Sequence, residues 1–170
     1  MNLVEVKING LILEHKTQQN IVVLREAGGE RLLPIWIGPA EAQAIRRLLS
    51  GEQFARPLTH DLIQMILEGL KAKVARVVIA RLQDNTFFAE VVVKRDGELL
   101  AIDARPSDSI AIALRAGAPV FVNEELLQPP PEVEAEPEEP ERELTEDEKA
   151  EQLRRFLERL KPEDFGKPGS

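Results

Sequence analysis

Apolar and polar positions alternate through the start of "NLVEVKINGLILEHK" (2–16), whereas "NIVVLRE" (20–26) and "RLLPIWIG" (31–38) are short continuous apolar runs; all three read as β-strands. The last two are joined across the turn signal "AGGE". The period then lengthens. "PAEAQAIRRLLSG" (39–51) opens on Pro39 and closes on Gly51, and "LTHDLIQMILEGLK" (58–71) places Leu62, Ile63, Ile66, Leu67 and Leu70 at helical spacing. Short apolar runs rich in β-branched residues return in "KVARVVIARLQ", "FFAEVVVKR" and "ELLAIDA", separated by the turn signals "DNT" and "DG", which predicts an antiparallel meander. A helix from Ser107 to about Ala116 and a last strand "PVFVN" complete the core. Strands and helices come in blocks, which is the arrangement of an α+β fold: a mixed, largely antiparallel sheet with three to four packed helices.

The pattern fails at "QPPPEVEAEPEEPERE" (128–143), where five prolines and seven glutamates leave too little apolar surface to offset ordering entropy. Three segments follow: an α+β domain over 1–127, an acidic proline-rich linker over 128–144, and a C-terminal amphipathic helix and tail over 145–170. In that helix Thr145 is the expected N-cap, and Leu153, Phe156, Leu157 and Leu160 share one face. That face suits docking on the helix's own core or on an identical neighbour.

Charge divides at the same boundary. Of the net charge of −8, residues 1–128 contribute −1, with 15 Lys and Arg against 16 Asp and Glu, and the remainder contributes −7. A near-neutral core excludes nucleic-acid binding by bulk charge and demands a local cluster of arginines instead. No apolar run is long enough to span a membrane, and the start of the chain lacks the features of a secretory signal, so no membrane partner and a cytoplasmic location are expected. Without cysteine, any chemistry must use oxygen and nitrogen ligands. The lack of Cys with abundant Arg, Glu and Leu leans towards a thermophile source.

Polar side chains crowd two junctions. Arg56 and Pro57 precede "LTHDLI", and Arg105 and Pro106 precede "SDSIAIAL", itself preceded by Asp103 in a run read as a buried strand. Thr59 and Ser107 are the expected N-caps, with Asp61 and Asp108 in the first turns. One account is structural: caps, first-turn carboxylates, and an ion pair of Asp103 with a buried Arg105. The other is chemical. Arg56 and Arg105, with Thr59 and Ser107, would bind a phosphate; Asp61, Asp103 and Asp108, with Glu41, would hold Mg²⁺ or Mn²⁺ that activates water; and His60 would accept a proton, because the helix N-terminus disfavours imidazolium. The catalytic candidates are thus His60, Asp61, Asp103 and Asp108, and the metal candidates Asp103, Asp108 and Glu41.

The stretches "LPIWIGPAEAQAI" (33–45), "RPLTHDLI" (56–63), "VVIARLQDNTFFAEVVV" and "IDARPSDSIAIALRAGAPVFV" (102–122) resemble the bifunctional nuclease (BFN) domain family over roughly residues 1–127. The family motifs fall on Pro34, Ile37, Gly38 and Glu41, on Arg56, Pro57, Thr59, His60 and Asp61, and on Asp103, Arg105, Pro106, Ser107 and Asp108. The resemblance implies a compact α+β domain that tends to self-associate, in a family named for nuclease activity on RNA and DNA in its plant members; the carboxylate, arginine and histidine content, with no obvious base-reading element, fits a metal-assisted nuclease with little base specificity. Some members carry a C-terminal UvrB/UvrC-type helical motif; the acidic linker and short helix stand in its place. The alternative is a non-catalytic oligomeric module that binds a small anion or a regulatory protein, which the near-neutral core and the 4% aromatic content favour. A homo-oligomer, most simply a dimer, is expected through the alanine-rich helix 107–116 and the apolar meander.

Overall fold

The structure, a computed structural model, describes residues 1–131 and 145–160. Strands β1 (Leu3–Glu14), β2 (Gln19–Glu26) and β3 (Leu32–Ile37) lead into helices α1 (Pro39–Ser50) and α2 (Thr59–Gly69). The meander β4 (Lys73–Gln83), β5 (Thr86–Arg95) and β6 (Glu98–Ala104) follows, then α3 (Pro106–Ala116), β7 (Val120–Asn123) and α4 (Glu146–Arg159). The fold is α+β, with one seven-stranded sheet in the order β3-β2-β1-β7-β4-β5-β6. Only β4 and β7 run parallel, because the helix α3 carries the chain back across the sheet.

Local chemistry accounts for most of these elements. The meander turns place Asp84, Asn85, Asp96 and Gly97 at positive φ, as two-residue hairpins require. Gly10 at φ +140° marks the point where the β1–β2 register shifts, so β1 bends there. At the β3 edge, Leu32 and Gln128 exchange both backbone hydrogen bonds, at 2.9 and 2.7 Å.

What the local pattern does not give is the place of β7 in the sheet. Its short "VFVN" strand inserts between β1 and β4, placing Val120 beside Val77 and Val122 beside Ile79, and so joins the N-terminal strands and the meander into one sheet. Val77, Ile79, Ala89, Val91 and Val93 form the face beneath α3, whereas Val78, Ala80 and Val92 gather on the other face with Phe121. Helix α3 packs against α1, α2, β4 and β5. That position explains its composition, since Ile110, Ala111, Ile112 and Ala113 are all buried.

Three expectations change. Ala111 and Ala113 of α3 are buried in the chain's own core and so offer no surface to a second copy, whereas Ala116 is half-buried. The run "ELLAIDA" is not a buried strand: β6 is the edge of the sheet, with Leu99, Leu100 and Ile102 about half exposed. Thr59 and Ser107 are not N-caps, because the helices begin earlier, with Leu58 and Arg105 at the cap positions.

Thr145 does cap α4, its hydroxyl accepting from the Glu148 N–H at 3.3 Å. Leu157, 3% exposed, enters the main core, and Leu153, Phe156 and Leu160 pack against it. The helix therefore docks on its own chain. Most of the linker expected at 128–144, and the end of the tail, lie outside the described residues.

Candidate functional site

Helices α1, α2 and α3 all begin with an acidic residue at the third helical position: Glu41, Asp61 and Asp108. A carboxylate there faces the free N–H groups and the positive end of the helix dipole, so each start is locally favourable. The fold adds that all three starts open on one cleft of about 550 Å³. Ala40 and Glu41, Thr59, His60 and Asp61, and Arg105 and Asp108 line it, together with Arg47 and Phe54. The two Arg-Pro junctions, 49 residues apart between Arg56 and Arg105 in the sequence, thus contribute to a single place.

Arg105 organises the centre. Its Nε donates to Asp108 Oδ2 at 2.8 Å and its Nη1 to Glu41 Oε1 at 3.0 Å, so it ties the start of α3 to the start of α1. On the other side of Asp108, Oδ1 lies 3.2 Å from His60 Nε2. Burial pushes the Asp108 carboxyl up, but the hydrogen bonds from Arg105 and His60 outweigh it and hold the group below the usual carboxylate range. An ionised Asp108 only accepts, so His60 Nε2 carries the hydrogen of this contact, and in the neutral ring Nδ1 is then the acceptor. His60 is 16% exposed, enough to meet solvent in the cleft without being freely hydrated.

Asp61 has a different role. Its Oδ2 accepts from the Leu58 N–H at 2.9 Å and its Oδ1 from Arg115 Nε at 2.7 Å. The Leu58 N–H first, and then Arg115, hold its carboxyl low. Asp61 therefore fastens the start of α2 to the far end of α3.

A carboxyl depressed by folding stabilises the fold above its unfolded pKa, and that contribution is lost as pH falls through the folded pKa. The deficit in urea midpoint caused by Asp61→Asn should be full near neutrality and shrink below about pH 4. A deficit that stays constant across that range would show that the Asp61 charge contributes nothing.

The remaining candidates divide. Asp103 sits exposed on β6 opposite Glu90, outside the cleft lining. Arg105 pairs with Asp108 and Glu41, not with Asp103 beneath the sheet. Its side chain is 46% exposed, so the ion pairs are solvent-screened and contribute at most about 1 kcal/mol. Arg56 is exposed in the loop before α2 and does not line the cleft. Thr59 lines it as the first residue of α2, whereas the Ser107 hydroxyl is buried with no hydrogen-bond partner.

Three residues of the neighbourhood escaped the sequence reading. Arg115 reaches back from the last turn of α3. Arg47 and Phe54 flank the end of α1, where Gly51 at φ +68° donates to Arg47 and Leu48 carbonyls and turns the chain back. That turn puts the Arg47 guanidinium 5.2 Å from the centroid of the Phe54 ring. The Gly51 helix stop was a signal for the reversal, but nothing local says which side chain the reversal meets.

Carboxylates outnumber arginines in the lining, with Glu41, Glu52, Asp61 and Asp108 against Arg47 and Arg105. Among the described residues no three His, Asp or Glu side chains gather closely enough to hold a metal ion by themselves. Glu41 and Asp108 meet only across the Arg105 guanidinium, which already holds one oxygen of each. No helix among the described residues is long and apolar enough to cross a membrane.

The bifunctional nuclease domain profile matches residues 22–135, a span containing every residue of the cleft. The chain is 40% identical over 162 residues to an uncharacterized protein of Mycobacterium tuberculosis, covering 95% of this chain and 97% of that protein. It is 27% identical over 120 residues to Bifunctional nuclease 1 of Arabidopsis thaliana, covering 69% of this chain and 37% of the plant protein. With Bifunctional nuclease 2 of Oryza sativa subsp. japonica the identity is 29% over 118 residues, or 68% of this chain and 36% of that one.

Proposed function

The chain belongs to the bifunctional nuclease domain family, and from that premise we propose that it hydrolyses phosphodiester bonds of RNA and DNA, with little base specificity, in the cleft where α1, α2 and α3 begin. The observation that carries this reading is the convergence of three helix N-termini on Arg105 and the His60–Asp108 pair. Free N–H groups and a guanidinium recognise the phosphate whatever base is attached.

The chemical roles follow from the geometry. Arg105 binds the phosphate and compensates charge that builds on its oxygens. His60 takes the proton from an attacking water; the water oxygen bonds to phosphorus, the bond to the leaving sugar oxygen breaks, and that oxygen is protonated from solvent. Asp108 holds the imidazole in the required tautomer and stabilises the imidazolium once formed, the role of the carboxylate in a Ser-His-Asp triad. Glu41 and Asp108 are the residues that would hold Mg²⁺ or Mn²⁺, and the cation would supply the positive charge that this carboxylate-rich cleft lacks.

The test is cleavage of end-labelled single-stranded RNA and DNA with EDTA, with Mg²⁺ and with Mn²⁺. Cutting of both polymers supports the reading, and stimulation by either cation supports the metal part of it. Binding without cleavage in every condition would instead favour the non-catalytic anion-binding module.

Self-association belongs to the same proposal, now at a different surface. Among the described residues β6 leaves one edge of the sheet open, with Leu100 and Ile102 exposed on one face and Leu99 on the other. Antiparallel pairing with a second copy about Ala101 would set Leu100 against Ile102 and Glu98 against Ala104, with no like charges opposed. Sedimentation should give a dimer that Ile102→Arg converts to monomer. A wild-type monomer at tens of micromolar would overturn this.

A further inference from the structure

Phe54 is a large aromatic side chain left 43% exposed, in contrast to Trp36 and Phe87, which are buried in the core. It lines the same cleft as His60 and Arg105, and one side of its neighbourhood is occupied by the Arg47 guanidinium. Among the described residues it is the only aromatic among the exposed large apolar side chains. A core-forming role does not account for it, and neither does capping.

From this geometry we infer that Phe54, backed by Arg47, is a stacking platform for one unpaired nucleobase, and hence that the substrate enters the cleft as a single strand. This deepens the phosphodiester reading and rests on it for the neighbouring phosphate. The cleft volume of about 550 Å³ falls in the range of nucleotide-sized and drug-sized pockets. An aromatic ring with an arginine beside it offers a base both stacking and a cationic neighbour, and it accepts every base because each has a π-face. Tolerance of sequence together with discrimination against duplex, in which the bases are already stacked, follows from the same contact. The 4% aromatic content is therefore no argument against nucleic-acid binding, because one correctly placed ring provides the platform.

The experiment is fluorescence anisotropy with the full chain in EDTA, using a short labelled thymidine strand and an abasic strand of equal length. The wild type should bind the base-bearing strand about tenfold or more tightly than the abasic one, the difference expected of a single stacked base. Phe54→Ala should abolish that difference while leaving abasic binding unchanged. Phe54→Trp should preserve it, with indole quenching on binding against a constant background from the buried Trp36. Equal wild-type affinity for the two strands, or a difference that survives in Phe54→Ala, would overturn the inference. A protein that shows this binding pattern yet cuts nothing would overturn the nuclease reading alone; one that cuts but ignores the base would overturn the stacking site alone.

Discussion

His60→Ala should lower kcat/KM on single-stranded RNA or DNA by about 100- to 10,000-fold, the usual range for loss of a positioned general base. The ring stands at the second position of α2, with Nε2 3.2 Å from an Asp108 oxygen that Arg105 also holds in place. Removing it leaves the phosphate-binding groups intact, so the loss should fall on kcat and leave affinity for the single strand near the wild-type value. His60→Gln separates proton transfer from structure: the amide can still donate to Asp108 but cannot take a proton, so it should be as slow as alanine. A glutamine variant close to wild-type rate would reduce His60 to a structural hydrogen-bond donor.

The largest stability effect is expected at the junction that makes one sheet out of two parts. Ile79 is fully buried, lies beside Val122 across the parallel β4–β7 pairing, and is adjacent to Ala89 on the other side. Ile79→Ala removes three carbons and leaves a cavity that the flanking strands cannot close, at a cost of about 2–5 kcal/mol. The half-exposed Leu99 on the edge strand is the matched comparison, where truncation should cost well under that. Urea unfolding of the two variants checks the ordering; equal losses would mean that β7 does not seal the core.

These two sites mark what the sequence can and cannot disclose. Turns such as "DNT" and "DG" declare themselves locally because only certain residues accept positive φ, and helix starts are legible from Pro39, Pro106 and the acidic residue two positions after each. The starts of α2 and α3 were still misplaced by a residue or two. Ser and Thr are the commonest caps, whereas here backbone geometry puts Leu58 and Arg105 at the cap and Asp61 reaches back to the Leu58 N–H. The pairing of β7 and the exposure of β6 were hidden for a nonlocal reason. "VFVN" carries no mark of the partners it slots between, and "ELLAIDA" has the apolar content of a buried strand but happens to lie at an edge.

The cleft shows the same division. His60, Asp61, Arg105, Asp108 and Glu41 were identifiable as residue types at helix starts, and the fold gathers all five. Their pairing was not identifiable: Arg105 joins Glu41 to Asp108, and Asp61 turns away to Arg115. Phe54 and Arg47 were invisible because an aromatic in a loop acquires meaning only from what the loop folds against.

The claim on which the account depends is that phosphodiester cleavage takes place where α1, α2 and α3 begin. The most direct measurement is cleavage of one labelled single strand by wild type, Asp108→Asn and Asp96→Asn, purified in parallel, with Asp96 chosen because it lies in the exposed β5–β6 turn. The account predicts cleavage by wild type and Asp96→Asn, and its loss in Asp108→Asn, which unlocks both His60 and Arg105 without removing either. Equal cleavage by all three proteins would place the activity outside this cleft and contradict the account.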